Sequence, residues 1–153
     1  MTAPLTDIPL KGDYSRRDFE RSARFHGLSK FTRPSRFPIP SQAPARIVLW
    51  QKGRDPQSVA RLVKACYHAF FVDDIDIANP DNAVAVAAKE GLDAGAARAA
   101  IDDPAIKDSL KKEVDESIKR GVFGSPFVIV DGEPFWGLDR FDQVDKWLST
   151  GGF

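Results

Sequence analysis

The stretch GVFGSPFVIVDGEPFWGLDR, residues 121–140, decides the fold. Phe127 to Val130 is a short apolar, β-branched run of the kind buried strands carry. Asp131-Gly132 is a hairpin signal, and Glu133 to Trp136 reads as the return strand. Beyond it, Phe141, Val144, Trp147 and Leu148 follow helical spacing, with Asp139 placed to cap that helix. A two-stranded hairpin is marginal alone. It must pack on helices or join strands from elsewhere.

Upstream, the sequence from 41 to 120 reads as almost all helix. Ser41 to Lys52 forms one helix, with Pro44 in its first turn and Gly53 at its end. Asp55 caps a longer one that has Pro56 at its first position. Val59, Leu62, Val63, Cys66, Tyr67, Phe70 and Phe71 then recur at three- and four-residue steps, which predicts one buried stripe. Asn79-Pro80 and Asp103-Pro104 repeat the capping device for helices near 80–91 and 104–120, with a short helical turn near 93–100 between them. Ahead of this block, Tyr14 to His26 is a predicted helix stopped by Gly27. Residues 28–40, with three prolines, form an extended loop. Residues 1–13, with Pro4, Pro9 and Gly12, read as an irregular lead-in, so Lys11 is placed in a loop. Helices followed by a hairpin and a helix suggest an α+β or inserted α/β arrangement.

Composition narrows the function classes. The 153 residues carry 22 basic and 22 acidic side chains, a formal net charge of zero. That argues against general affinity for nucleic acid or anionic membrane. The charge is unevenly spread: residues 1–54 hold eleven Lys/Arg against four Asp/Glu, and residues 73–116 hold twelve acids against five bases. The basic third suits small anionic ligands or simply a solvated surface. A single cysteine, Cys66, leaves no intrachain disulfide, no multi-cysteine metal site and no Cys-x-x-Cys centre within these residues. His26 and His68 have no second ligand signal nearby. The first ten residues lack a secretory pattern, and no apolar run is long enough to span a bilayer, so a cytoplasmic protein is expected.

Two local features carry candidate chemistry. Ser125-Pro126, directly before the strand, is either a cis bond that turns the Ser125 backbone toward a peptide-like ligand or an ordinary trans-proline opening the strand. At Leu138-Asp139, the N–H groups of a helix start suit a carboxylate, and the Asp139 carboxylate suits an ammonium group. The alternative for Asp139 is a plain N-cap.

Taken together, the pattern Gly-Val-Phe-Gly-x-Pro, apolar strand, Asp-Gly, Phe-Trp-Gly-x-Asp-Arg resembles the C-terminal part of the 2-hydroxychromene-2-carboxylate isomerase and kappa-class glutathione transferase group. PLTDIPLKGDY resembles that group's proline-containing loop. DYSRRDFERSARFHGL followed by PSRFPIPS resembles its Arg-rich helix and Phe-Pro segment. The resemblance implies a thioredoxin-like α/β fold interrupted by a large helical insertion. On that reading residues 1–13 are a lead-in loop of the thioredoxin-like domain, 14–120 the helical insertion, and 121–153 the C-terminal hairpin and helix. It also implies glutathione as cofactor. Ser125, before cis-Pro126, would hold the cysteinyl backbone, Leu138 and Asp139 the γ-glutamyl end, and Lys11 the glycyl carboxylate or another anionic group.

The activity implied is glutathione-dependent cis–trans isomerisation of an aromatic-degradation intermediate, or a related transfer, by thiolate addition, rotation and elimination. Trp50 and Tyr67 would line the pocket for a small aromatic carboxylate, and Arg36 or Arg46 would attract its charge. A homodimer is also expected. The sequence departs from the group at Pro40 and Asp7, where members carry Asn. The group's leading strand, helix and second strand, with the serine that faces the sulfur, have no counterpart before Lys11. The competing expectation is therefore a catalytically silent glutathione-binding or interaction protein. A thiol–disulfide oxidoreductase is disfavoured by the single cysteine.

Overall fold

Asparagine and aspartate followed by proline start the helices as expected, because each side chain accepts a hydrogen bond from a backbone N–H that the helix leaves unpaired. Asn79 accepts from Asp81 N at 2.9 Å, Asp103 from Ala105 N at 2.7 Å and Asp55 from Gln57 N at 3.2 Å. The computed structural model describes residues 7–153. The first six residues of the predicted lead-in lie outside the described residues. The helices are α1 (Lys11–Phe25), α2 (Gln42–Lys52), α3 (Val59–Phe71), α4 (Pro80–Lys89), α5 (Ala94–Asp102), α6 (Pro104–Lys119) and α7 (Phe141–Thr150). Strands β1 (Phe127–Val130) and β2 (Glu133–Trp136) lie between α6 and α7. The chain divides into two compact units, one ending at Leu110 and the other running from Lys111 to Phe153. This division falls inside α6, ten residues before the boundary expected at residue 120.

The N-terminal unit is helical. Helix α2 packs against α3, α4 and α5, and α4 packs against both α3 and α5. Its core gathers Ile47, Leu62, Cys66, Phe70, Ile77, Val86 and Ile101 around the fully buried alanines Ala83, Ala87 and Ala97. Alanine at these three positions lets neighbouring backbones approach closely, and α5 lies within two residues of the helical turn expected near 93–100. A helix that buries mostly Ala shows little apolar periodicity, yet Ala is the best helix former. Asp93 caps it by accepting from Ala96 N at 2.7 Å.

Two expectations are corrected here. Lys11 is in no loop: it is the exposed first residue of α1, which starts three residues before Tyr14. A turn at Pro9-Leu10, in which Lys11 N donates to Pro9 O and Gly12 N to Ile8 O, launches the helix early, and Asp13 suits its positive end. The Asp55-capped helix likewise opens with a separate 3₁₀ turn, Pro56–Ser58, before α3 begins.

Cys66 sits inside this core, and burial pushes its thiol pKa up, with the Glu90 carboxylate adding to the effect. The thiolate is the reactive form. At pH 8, maleimide labelling of the folded protein is therefore expected to run at least tenfold slower than in 6 M guanidinium. Equal rates would show that the helical core is open.

In the C-terminal unit, β1 and β2 pair antiparallel in the register Phe127↔Trp136, Val128↔Phe135, Ile129↔Pro134 and Val130↔Glu133. Asp131 and Gly132 take the positive φ values, 52° and 86°, that a two-residue hairpin turn requires. Helix α7 covers one face. Buried Phe135 meets Trp147 edge-on at 5.8 Å, and Trp147 Nε1 donates to the Asp131 carboxylate at 3.3 Å. The hairpin thus packs on a helix, one of the two solutions its length demanded. Among the described residues, no helix is long and apolar enough to cross a membrane.

Candidate functional site

The C-terminal unit brings its two candidate segments side by side. Gly137 N donates to Pro126 O at 3.0 Å, extending the β1–β2 ladder by one step. Ser125 and the Leu138-Asp139 turn are therefore neighbours across the end of the hairpin. The Ser125–Pro126 bond is cis, and Ser125 is exposed. Aromatic packing explains the surrounding motif. Phe123 meets Phe127 at 5.2 Å and Trp136 at 5.0 Å, both edge-on. The Trp136 indole lies where a side chain on Gly124 would have to go.

Asp139 does not cap α7. It lies within a 3₁₀ turn, Leu138–Arg140, and neither that turn nor α7 has a side-chain cap. Its carboxylate folds back over Gly137, in the space a Cβ there would occupy, and pairs with Arg140 at 3.5 Å. The capping expectation fails because the chain enters α7 through Gly137 at φ 102°, which carries Asp139 past the cap position. The result is an exposed carboxylate beside the first N–H groups of a helical turn, which lack intrahelical partners. That donor and acceptor set suits an α-amino acid end, the ammonium at Asp139 and the carboxylate at the turn. Gly124 and Gly137 leave the space that the Trp136 indole and the Asp139 carboxylate take, and the donor and acceptor set fits a γ-glutamyl group.

Gly137 is indispensable to this arrangement. Gly137→Ala is expected to destabilise the C-terminal unit by about 1–3 kcal/mol, since the φ is unfavourable for an L side chain and the methyl would meet the Asp139 carboxylate. Hydrogen exchange at the β1–β2 amides checks this. Unchanged protection would show the loop to be more plastic than described.

The four residues expected around the substrate are not gathered into one place. Arg36 is taken by Asp76 at 2.8 Å. Half-buried Arg46 donates to Ile101 O at 3.1 Å, at the C-terminal end of α5, while its Nε is buried without a partner among the described residues. Trp50 lines a polar hollow under Arg54, whose guanidinium lies 5.0 Å from the indole ring. Tyr67 lines a different, apolar hollow and stacks on Phe71. Lys11 belongs to the N-terminal unit, on the exposed start of α1. Among the described residues no cluster of His, Cys, Asp and Glu is disposed to hold a metal.

The structure singles out another basic and aromatic hollow of 280 Å³ between α1, the 28–40 loop and the end of α3, lined by Arg16, Phe19, Phe31, Arg33, Phe37 and Phe71 among others. Three bonds fix its loop wall: Thr32 N to Phe71 O, Ser35 N to the Asp74 carboxylate, and Arg36 to Asp76. Arg36 thus anchors the segment that presents Arg33. The Arg-rich helix and Phe-Pro segment were visible in the sequence, but which arginine faced inward depends on that long-range clamp.

A cis-proline before an antiparallel hairpin, with a terminal helix packed on it and a separate helical unit upstream, defines a thioredoxin-like protein carrying a helical insertion. The chain belongs to the DSBA-like thioredoxin domain family, which it matches over residues 1–149. It is 33% identical over 100 residues to 2-hydroxychromene-2-carboxylate isomerase of Sphingobium xenophagum, an alignment covering 65% of this chain. It spans about half the length of that relative, 50%. Among solved structures it resembles a 2-hydroxychromene-2-carboxylate isomerase with a TM-score of 0.81 at 24% identity, over 97% of this chain and 71% of the other. It also resembles a candidate protein disulfide isomerase from Nitrosomonas europaea, with a TM-score of 0.71 at 18% identity, over 99% and 79% of the two chains. These two likenesses concern the fold. Within this chain, the single cysteine leaves no dithiol for disulfide exchange.

Proposed function

We propose that the protein serves glutathione-dependent cis–trans isomerisation of a conjugated aromatic carboxylate, of the 2-hydroxychromene-2-carboxylate type or a related transfer. The observation that carries this reading is the Gly137–Pro126 hydrogen bond, which sets the Ser125 backbone beside Leu138 and Asp139. The sequence relationship to an isomerase supports it independently. Ser125 would pair through its backbone with the cysteinyl part of glutathione. Leu138 N–H would take the γ-glutamyl carboxylate and Asp139 its ammonium group. When bound, glutathione supplies a thiol able to add reversibly to a conjugated double bond. In the helical unit, Arg33 would attract a substrate carboxylate.

The test is the absorbance change of a chromene carboxylate on isomerisation, followed with and without glutathione. Turnover that requires glutathione is expected. Turnover of equal rate without it would overturn the glutathione role. Glutathione binding without turnover would favour a silent binding protein of the same family.

A further inference from the structure

Helices α3 and α4 border a hollow of 380 Å³, and none of its lining residues belongs to the segments assigned to glutathione or to the substrate carboxylate. Its origin is in the sequence. Ala65 and Ala69, one turn apart on α3, carry no side chain beyond Cβ, so the helix leaves room at this surface. With them, Ile75 and Val86 give the hollow an apolar floor. Ala69 and Val86 are buried, and Ala65 and Ile75 pack against the core, so this floor is part of the fixed helical unit. The volume falls in the range of roughly 300–1,000 Å³ usual for small-molecule sites.

The rim is charged. Arg61, Lys64, His68 and Lys89 face two acids, Asp73 and Glu90. Both acids are already engaged. Arg61 holds Glu90 twice, through its carboxylate at 3.1 Å and its carbonyl oxygen at 3.0 Å. His68 Nδ1 meets the Asp73 carboxylate at 3.2 Å. Lys64 and Lys89 are left with no carboxylate partner among the described residues. Lys89 lies in the last turn of α4 and also suits that helix's negative end. Lys64, in the middle of α3, has no such role.

The kind of cation points to the kind of anion. Arginine matches a planar carboxylate with paired N–H groups, whereas a lysine ammonium acts as a compact point charge. The one guanidinium at this hollow is committed to Glu90. Two ammonium groups carried by different helices suit a compact group bearing two charges. The apolar floor suits a short carbon chain attached to that group.

We propose that this hollow binds a phosphate monoester, its phosphate at Lys64 and Lys89 and its carbon chain over Ala65 and Val86. It is a second ligand site, and it stands whether or not glutathione binds at the hairpin end.

Phosphorus NMR titration with n-butyl phosphate, with no glutathione present, tests this. At pH 8 the ester carries two charges, since its second pKa is about 6. Lys64→Gln and Lys89→Gln are each expected to weaken binding roughly fivefold, for the loss of an exposed charge-assisted contact. Lys112→Gln, on α6, is the control and should change it less than twofold. Methyl phosphate should bind about fivefold more weakly than butyl phosphate, because the open hollow covers part of the longer chain. Ala65→Leu fills the floor and should remove that difference. The comparison of the two esters needs no variant, and so stands where Ala65→Leu fails to fold. Butyl sulfate, of similar shape but with one charge, should bind more weakly than butyl phosphate.

No saturation by butyl phosphate at several millimolar would overturn the site. Equal losses in the three lysine variants would assign the binding to general charge attraction. Equal affinity for methyl and butyl phosphate would overturn the role of the floor, and equal affinity for butyl sulfate the preference for two charges.

Discussion

Leu62→Ala is expected to lower the stability of the helical unit by about 3 kcal/mol, the usual cost of a cavity left by a well-packed leucine. Leu62 is 1% exposed on α3 and belongs to the cluster that joins α3 to α2, α4 and α5. That cluster includes Ile47, Phe70, Val86 and the buried alanines Ala83, Ala87 and Ala97. Ile47, 2% exposed on α2, should behave similarly. The complementary change, Ala97→Leu, adds volume at a position that is 0% exposed and should cost about 1–3 kcal/mol by overpacking. Urea unfolding followed by circular dichroism at 222 nm checks all three. A loss below about 1 kcal/mol for Leu62→Ala would mean that the described core is not the stabilising one.

The second large effect concerns ligand rather than fold. Asp139→Asn keeps the shape of the side chain and removes its charge, so the variant should remain folded while its glutathione affinity falls. A hydrogen bond to a charged group contributes about 1.5–3 kcal/mol, which corresponds to roughly tenfold to a hundredfold. Asp139 is exposed, and its pairing with Arg140 must be given up on binding, so the lower end is expected. Asp142→Asn, in the first turn of α7 and also exposed, is the control and should change affinity less than twofold. Equal losses in both variants would point to general electrostatics instead of a defined contact.

What the sequence revealed of the fold follows the range of the forces involved. Asn79-Pro80, Asp103-Pro104 and Asp131-Gly132 act through bonds within two or three residues, and each element they announce lies where expected. The early start of α1 depends on a turn at Pro9-Leu10, where Leu10 takes φ 65°, and no residue type announces that conformation. Helix α5 runs two residues past the turn expected near 93–100, to Asp102, where Asp103 takes an extended conformation.

The candidate site divides along the same line. Ser125-Pro126 and Leu138-Asp139 were legible because a single hairpin register brings them together. The substrate side was not. Arg33 and Arg36 are indistinguishable by spacing, and only the Asp76 contact, forty residues away, shows which one serves as anchor. Trp50 and Tyr67 share helical placement but open onto different hollows, a consequence of how α2 and α3 pack.

Isothermal titration of the protein with glutathione up to several millimolar tests whether the hairpin end holds it. Saturable binding at one site is expected, weakened about tenfold by Asp139→Asn and little changed by Asp142→Asn. No saturable heat at millimolar glutathione, in protein shown to be folded, would contradict it.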